Sequence, residues 1–153
     1  MDFAGTIGEN TVFVTLRDGL WYVENVFHHE LNHMLSDRHY ALFNREKWKS
    51  FNPSDFNYKG RYAPWTYVVN HGTSQPWFDT TYLHQGFLSE YSKTRLCEDF
   101  ARYAEALFMS EKRFWDAFDK YERVREKAKL TIDFYTRLDS MFTEDYFREL
   151  GNQ

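Results

Sequence analysis

One cysteine, three prolines and seven glycines in 153 residues leave the chain with little punctuation and no covalent staple. Cys97 has no partner for an internal disulfide, so burial alone must hold the fold, and the compartment is not specified. No apolar run approaches the roughly eighteen residues that span a bilayer, and Met1-Asp2-Phe3-Ala4-Gly5 lacks the charged and apolar segments of a signal peptide. Membrane insertion is therefore not expected, and localisation stays open. There is also no block of Lys and Arg. With 19 basic and 23 acidic side chains the net charge is −4, which makes nucleic acid a poor partner. Internal repeats and low-complexity tracts are missing too.

What is present is a chain of one-domain size, 42% hydrophobic and 27% charged, so a single folded domain over residues 1–153 is expected. Aromatic residues reach 20%, enough to fill a core and to line a groove for peptide or sugar. Thr11-Val12-Phe13-Val14-Thr15-Leu16 reads as a strand, ended by Arg17-Asp18-Gly19. Its edge is a candidate for pairing with an extended peptide. Asp18 then caps a helix from about Leu20 to Ser36, in which Trp21, Val23, Val26, Phe27, Leu31, Met34 and Leu35 recur at helical spacing.

A less regular helix is expected over Tyr40–Phe51. The stretch to Gly86 is broken by Asn52-Pro53, Gly60, Pro64, Gly72 and Pro76, and reads as functional loops with short strands such as Tyr67-Val68-Val69. Its aromatics either frame a cleft wall or pin the loops to the core. Three helices follow, over Thr94 to about Met109, Ser110 to about Ala128 and Thr131 to about Leu150, with Ser110 and Thr131 as caps and Gly151 as a stop. Phe114, Trp115, Phe118 and Tyr121 form a core stripe, and the alternating charges from Tyr121 to Lys129 read as a solvated face. The fold class is α+β: mostly helical, with a small sheet before the helix that carries the chemistry.

That helix contains His29-Glu30-Leu31-Asn32-His33, a His-Glu-x-x-His motif. Helical spacing of four puts both imidazoles on one face, where they can grip one metal ion while Glu30 projects beside them. Catalytic zinc takes three protein ligands and keeps an exchangeable position, so the function depends on the third. His39 lies at the third-His spacing of the metzincin motif, but Ser36 stands where that motif has the glycine that turns the chain. Glu98 is the other candidate. With Thr94 as cap it falls in a first helical turn, where the dipole favours a carboxylate, as a gluzincin requires.

Gly86-Phe87-Leu88-Ser89-Glu90-Tyr91 followed by Glu98-Asp99-Phe100-Ala101 resembles the paired signature of zinc-binding metallopeptidases common in Bacteroidetes, which in turn resemble the catalytic domain of anthrax lethal factor. The resemblance covers about residues 25–37 and 86–108. It implies a zincin-like metallopeptidase core, Glu98 as third zinc ligand and Tyr91 as a donor to the oxyanion. In that family an acidic residue four positions after the third ligand supports a zinc-bound His; here that position is Arg102, a donor only, so either support comes from elsewhere, with Asp99 and Glu105 as candidates, or metal affinity suffers. Only 28 residues precede His29, fewer than zincins of this type carry, so the chain is either a minimal version or a fragment.

The expected activity is zinc-dependent hydrolysis of peptide bonds in a peptide or protein substrate, with His29, His33 and Glu98 on Zn2+ and Glu30 as general base. Two rivals remain: a metal- or peptide-binding module that retains the site without turnover, and a carbohydrate-binding protein using exposed Trp and Tyr. Histidines 28, 71 and 84 are further possible neighbours of the metal that no spacing rule selects. Oligomeric state and peptide specificity have no sequence signal, although the 52–86 loops are expected to shape the pockets.

Overall fold

Nineteen residues from Leu20 to Arg38 form helix α1, two residues longer than the sequence pattern predicts, and the His39 N–H closes it on the Leu35 carbonyl at 2.9 Å. This computed structural model describes residues 5–16, 19–71 and 77–151; the expected cap Asp18 lies outside them. The apolar residues of α1 are spread around its circumference, and Trp21 and Phe27 are exposed. Its buried residues are Asn25, Asn32 and Ser36 together with a single apolar one, Val26. His29 belongs to the helical face of the three polar ones. The inward side of α1 is thus largely polar, and at His29 and His33 it faces the carboxylates of α5.

Ahead of α1, β1 (Gly5–Ile7) pairs antiparallel with β2 (Val12–Val14), Gly5 opposite Val14 and Ile7 opposite Val12. The predicted strand at 11–16 is present but shorter; β1 had no periodicity to announce it. This two-stranded sheet rests on α1. A Cβ built on Gly5 would stand 2.6 Å from the Val26 side chain and 2.8 Å from that of Glu30, so only glycine lets the strand approach this closely.

After α1 a 3-10 turn at Tyr40–Leu42 leads to α2 (Arg45–Ser50), whose N-terminus is capped by Asn44 accepting from the Lys47 N–H at 3.0 Å. The 52–86 stretch departs from expectation. Tyr67-Val68-Val69 is helical, inside α3 (Ala63–His71), and α4 (Thr80–Leu83) is capped by Asp79. Pro64 in the first turn of α3 explains why: its fixed φ and missing N–H suit a helix start better than a strand.

Helix α5 (Leu96–Met109) occupies the middle of the molecule, packed against α1 and against the later helices. Thr94 does not cap it; its hydroxyl donates back to the Tyr91 carbonyl at 2.6 Å. Ser110 ends α5 in the left-handed region (φ 46) rather than starting the next helix. The two long helices expected beyond it are three: α6 (Lys112–Lys120), α7 (Glu122–Leu138) and α8 (Glu144–Leu150). Neither break contains glycine or proline. Buried Tyr121 turns extended between α6 and α7, and Asp139 leaves the helix before Thr143 caps α8. Thr131 lies within α7, its hydroxyl bonded to the Lys127 carbonyl. Gly151 does end α8. The observed class is mostly helical with one small sheet, and among the described residues no helix is long and apolar enough to cross a membrane.

The core gathers on α5, through Phe100, Tyr103, Ala104 and Leu107, and Phe43 stacks on Phe100 at 3.9 Å. The expected solvated face of α7 is not wholly solvated. Lys127 is fully buried and meets equally buried Asp99 at 2.7 Å, where Tyr58 (2.7 Å) and Trp48 (2.9 Å) also donate to the carboxylate. Asp99→Ala strands a buried ammonium and is expected to cost roughly 3–5 kcal/mol in urea unfolding. The Asp99→Ala/Lys127→Ala pair should lose clearly less than the sum of the single variants; additive losses would mean the two charges are not coupled.

Candidate metal centre

Antiparallel packing of α1 and α5 brings His29 and His33, one turn apart, against Glu98 in the first turn of α5. The Glu98 Oε2 lies 3.1 Å from His29 Nε2 and 3.4 Å from His33 Nε2, and the two nitrogens are 3.2 Å apart. A tetrahedral centre with bonds of about 2.0–2.1 Å has edges of about 3.3–3.4 Å between donors, so these atoms are spaced as one face of such a tetrahedron. The side chains of His29, His33 and Glu98 keep only 12%, 17% and 9% of their exposure, which shelters the group without closing it off. Their chemistry agrees with their spacing. Two imidazole nitrogens and a carboxylate oxygen are donor atoms that could together hold a metal ion.

Support for His29 comes from Glu105, whose Oε2 lies 3.2 Å from Nδ1. This carboxylate orients the ring through Nδ1, which leaves Nε2 turned toward Glu98 and His33. Glu105 is held in turn by Arg102, which donates to both its oxygens at 3.0 and 2.9 Å. The acidic partner that Arg102 displaces in sequence is therefore recovered one turn later, with Arg102 as its anchor. The Arg102 guanidinium lies over the rings of Trp77 and Tyr91, at 4.5 and 5.0 Å. Asp99, the other candidate for this support, faces the opposite side of α5 and belongs to Lys127.

The chain matches no protein-family model, no curated protein and no solved structure.

Charge around the group is tightly coupled. Burial disfavours the imidazolium of His29, but hydrogen bonds and charge from Glu105 and Glu98 outweigh it and raise the group to about 9. Burial likewise opposes the charge on Glu98, yet the hydrogen bonds from His29 and His33 hold that carboxyl well below its usual range. Glu30 is shifted up, first by burial and then by Glu98 and Glu105, against the pull of the two histidines. Burial also raises the Tyr91 hydroxyl, which is hydrogen-bonded to Glu98 and so stays protonated. The Tyr91 ring lies 6.3 Å from that of His29.

Other histidines are elsewhere. His39, at the C-terminal end of α1, is exposed and stands apart from the group. His28 stacks flat on Phe108 at 4.3 Å, and burial lowers it to about 4, so it is a neutral packing residue. His84 packs edge-on against Tyr121, and the side chain of His71 lies outside the described residues. On the His33–Glu98 side a cavity of about 830 Å³ opens, walled partly by Tyr58, Gly60 and Arg61 from the 52–86 stretch. The rest of its wall comes from β1, α1, α2 and the start of α5, for which no local signal in the sequence exists.

Because His29 is raised from its usual 6.5 to about 9, its interactions stabilise chelator-treated protein fully below pH 6.5 and are lost as pH rises through about 9. Metal must displace that proton, so affinity runs the other way. Calorimetric titration should find zinc binding strengthened close to tenfold between pH 7 and 8 and about fivefold between pH 8 and 9, with about one proton released per ion at pH 7 and about half a proton at pH 9. A pH-independent affinity would show that the His29 imidazole is not a ligand.

Proposed function

We propose that the chain is a zinc-dependent endopeptidase of gluzincin type, with His29, His33 and Glu98 as metal ligands on a zincin-like core. The observation that carries this is the set of three donor atoms at 3.1–3.4 Å from one another, with Glu30 adjacent in sequence to the first of them. Imidazole nitrogens and a carboxylate at tetrahedral spacing suit zinc, and the resemblance of 86–91 and 98–101 to zinc-binding metallopeptidases supports the same assignment. When bound, zinc supplies Lewis acidity that polarises a peptide carbonyl and acidifies a water.

The protein does the rest. Glu30, raised by burial, is a base that takes the proton of the attacking water and passes it to the leaving nitrogen. Tyr91, kept protonated, offers its hydroxyl to the oxyanion. Glu105 and Arg102 fix the His29 ring. One observation favours a second assignment, a metal-binding module without turnover: the Tyr91 hydroxyl is engaged by Glu98, and it serves an oxyanion only after leaving that carboxylate.

Glu30→Gln separates the two. It is expected to retain zinc by elemental analysis while cleavage of a peptide library falls about 10²–10⁴-fold; equal behaviour of variant and wild type sinks the peptidase assignment. Tyr91→Phe should lower kcat by about 10²-fold with zinc content unchanged. Zinc should be lost from Glu98→Ala and kept in His39→Ala, and the reverse pattern would exchange the third ligand.

A further inference from the structure

We propose that the cavity beside the metal group is a carboxylate-recognising subsite, so that the preferred substrates are peptides with an acidic side chain, or a free C-terminal carboxylate, within a few residues of the cleaved bond. This rests on the peptidase reading and adds the substrate class to it.

His33 and Glu98 are themselves part of the cavity wall, so whatever enters lies against the metal ligands. Four basic residues line it, from three separate segments. Arg45 and Lys49 are one turn apart on α2, Arg61 comes from the turn before α3, and Arg95 immediately precedes α5. Two carboxylates share the wall, Asp37 and Glu98, and Glu98 is already engaged by both imidazoles. Lys49 pairs with Glu46 at 2.9 Å, but Glu46 is on the solvent side, 84% exposed. Among the described residues, Arg45, Arg61 and Arg95 have no carboxylate within 4 Å; Arg45 donates only to the Tyr40 carbonyl, at 3.4 Å.

This surplus runs against composition. The chain as a whole is acidic, at −4, so an average patch of its surface would carry more carboxylates than cations. A concave site with low-dielectric walls focuses such a field, and guanidinium groups present the fork that a carboxylate accepts. The volume of about 830 Å³ holds a side chain together with adjoining backbone. Ile7, at the end of β1, forms part of the wall, so the same cavity adjoins a strand against which an extended chain can lie.

The test uses acetylated decapeptides differing only by Glu or Gln at one position around the cleaved bond, each with a free and an amidated C-terminus, and the zinc-loaded protein. Glu is expected to raise kcat/KM about tenfold at one position, through KM, and the advantage should shrink between about 50 and about 500 mM salt. A Glu-over-Gln advantage that survives amidation identifies a side-chain carboxylate, and a free-over-amidated advantage shared equally by Glu and Gln peptides identifies the C-terminal one. In Arg61→Gln/Arg95→Gln the Glu:Gln ratio should fall toward one, and in Arg61→Glu/Arg95→Glu a Lys peptide should overtake the Glu peptide. Equal kcat/KM for Glu and Gln at every position, and for free and amidated ends, overturns the proposal. Calorimetric titration of the same peptides into Glu30→Gln keeps its outcome separate from that of the peptidase assignment. Tighter binding of the carboxylate peptide without any wild-type cleavage leaves the subsite standing and removes the peptidase; equal binding removes the subsite.

Discussion

Burying imidazoles and carboxylates between two helices carries a desolvation cost that an apolar contact would not, and each group must recover it from its neighbours. Between α1 and α5 this recovery is mutual. Glu98 is charged because two histidines face it, His29 is held by Glu98 and Glu105, and Glu105 is held by Arg102. Removing any one member leaves a buried group short of a partner. The largely polar inward face of α1 follows from the same constraint: Asn25, Asn32 and Ser36 flank the histidines, and Asn32 accepts from the Tyr135 hydroxyl at 3.1 Å.

A second charged centre lies on the other side of α5. Glu98 and Asp99 are adjacent, yet the turn of the helix sends one to the histidines and the other to Lys127. The helix is therefore anchored by charge on both flanks and by aromatic packing along the remainder, with Phe43, Trp48 and Phe100 in contact. Such anchoring matters for a metal site, since donor atoms must keep their spacing to within fractions of an ångström. Trp77 and Tyr91 over Arg102 extend the packing outward from His29 and Glu105.

Legibility differed by kind of information. The extent of α1 followed from its composition, but its buried face did not, since apolar residues lie all round it and the packing partner at the histidines is polar. The strand expected at Tyr67-Val68-Val69 is a helix, because local β-propensity yields to a proline-started turn and to the tertiary position of Tyr67, which packs on Tyr91 at 5.7 Å. The helix boundaries at Tyr121 and Asp139 have no breaker residue and were set by burial and capping in context. Lys127, part of an alternating charged run, became a core residue because Asp99 faces it.

By itself the sequence determined the pairing of His29 with His33 and the place of Glu30 beside them, for that needs only helical periodicity. Residues four apart on a helix share a face whatever the rest of the chain does. The resemblance also named Asp99 and Glu105 as candidates for the supporting carboxylate without choosing. Tertiary structure decided the rest: Glu98 joins the histidines while His39 lies at the exposed end of α1, Glu105 reaches Nδ1, and cations from three segments line one cavity. Those relations arise from the antiparallel crossing of α1 and α5 and from loops folded over it, distances that no local spacing encodes.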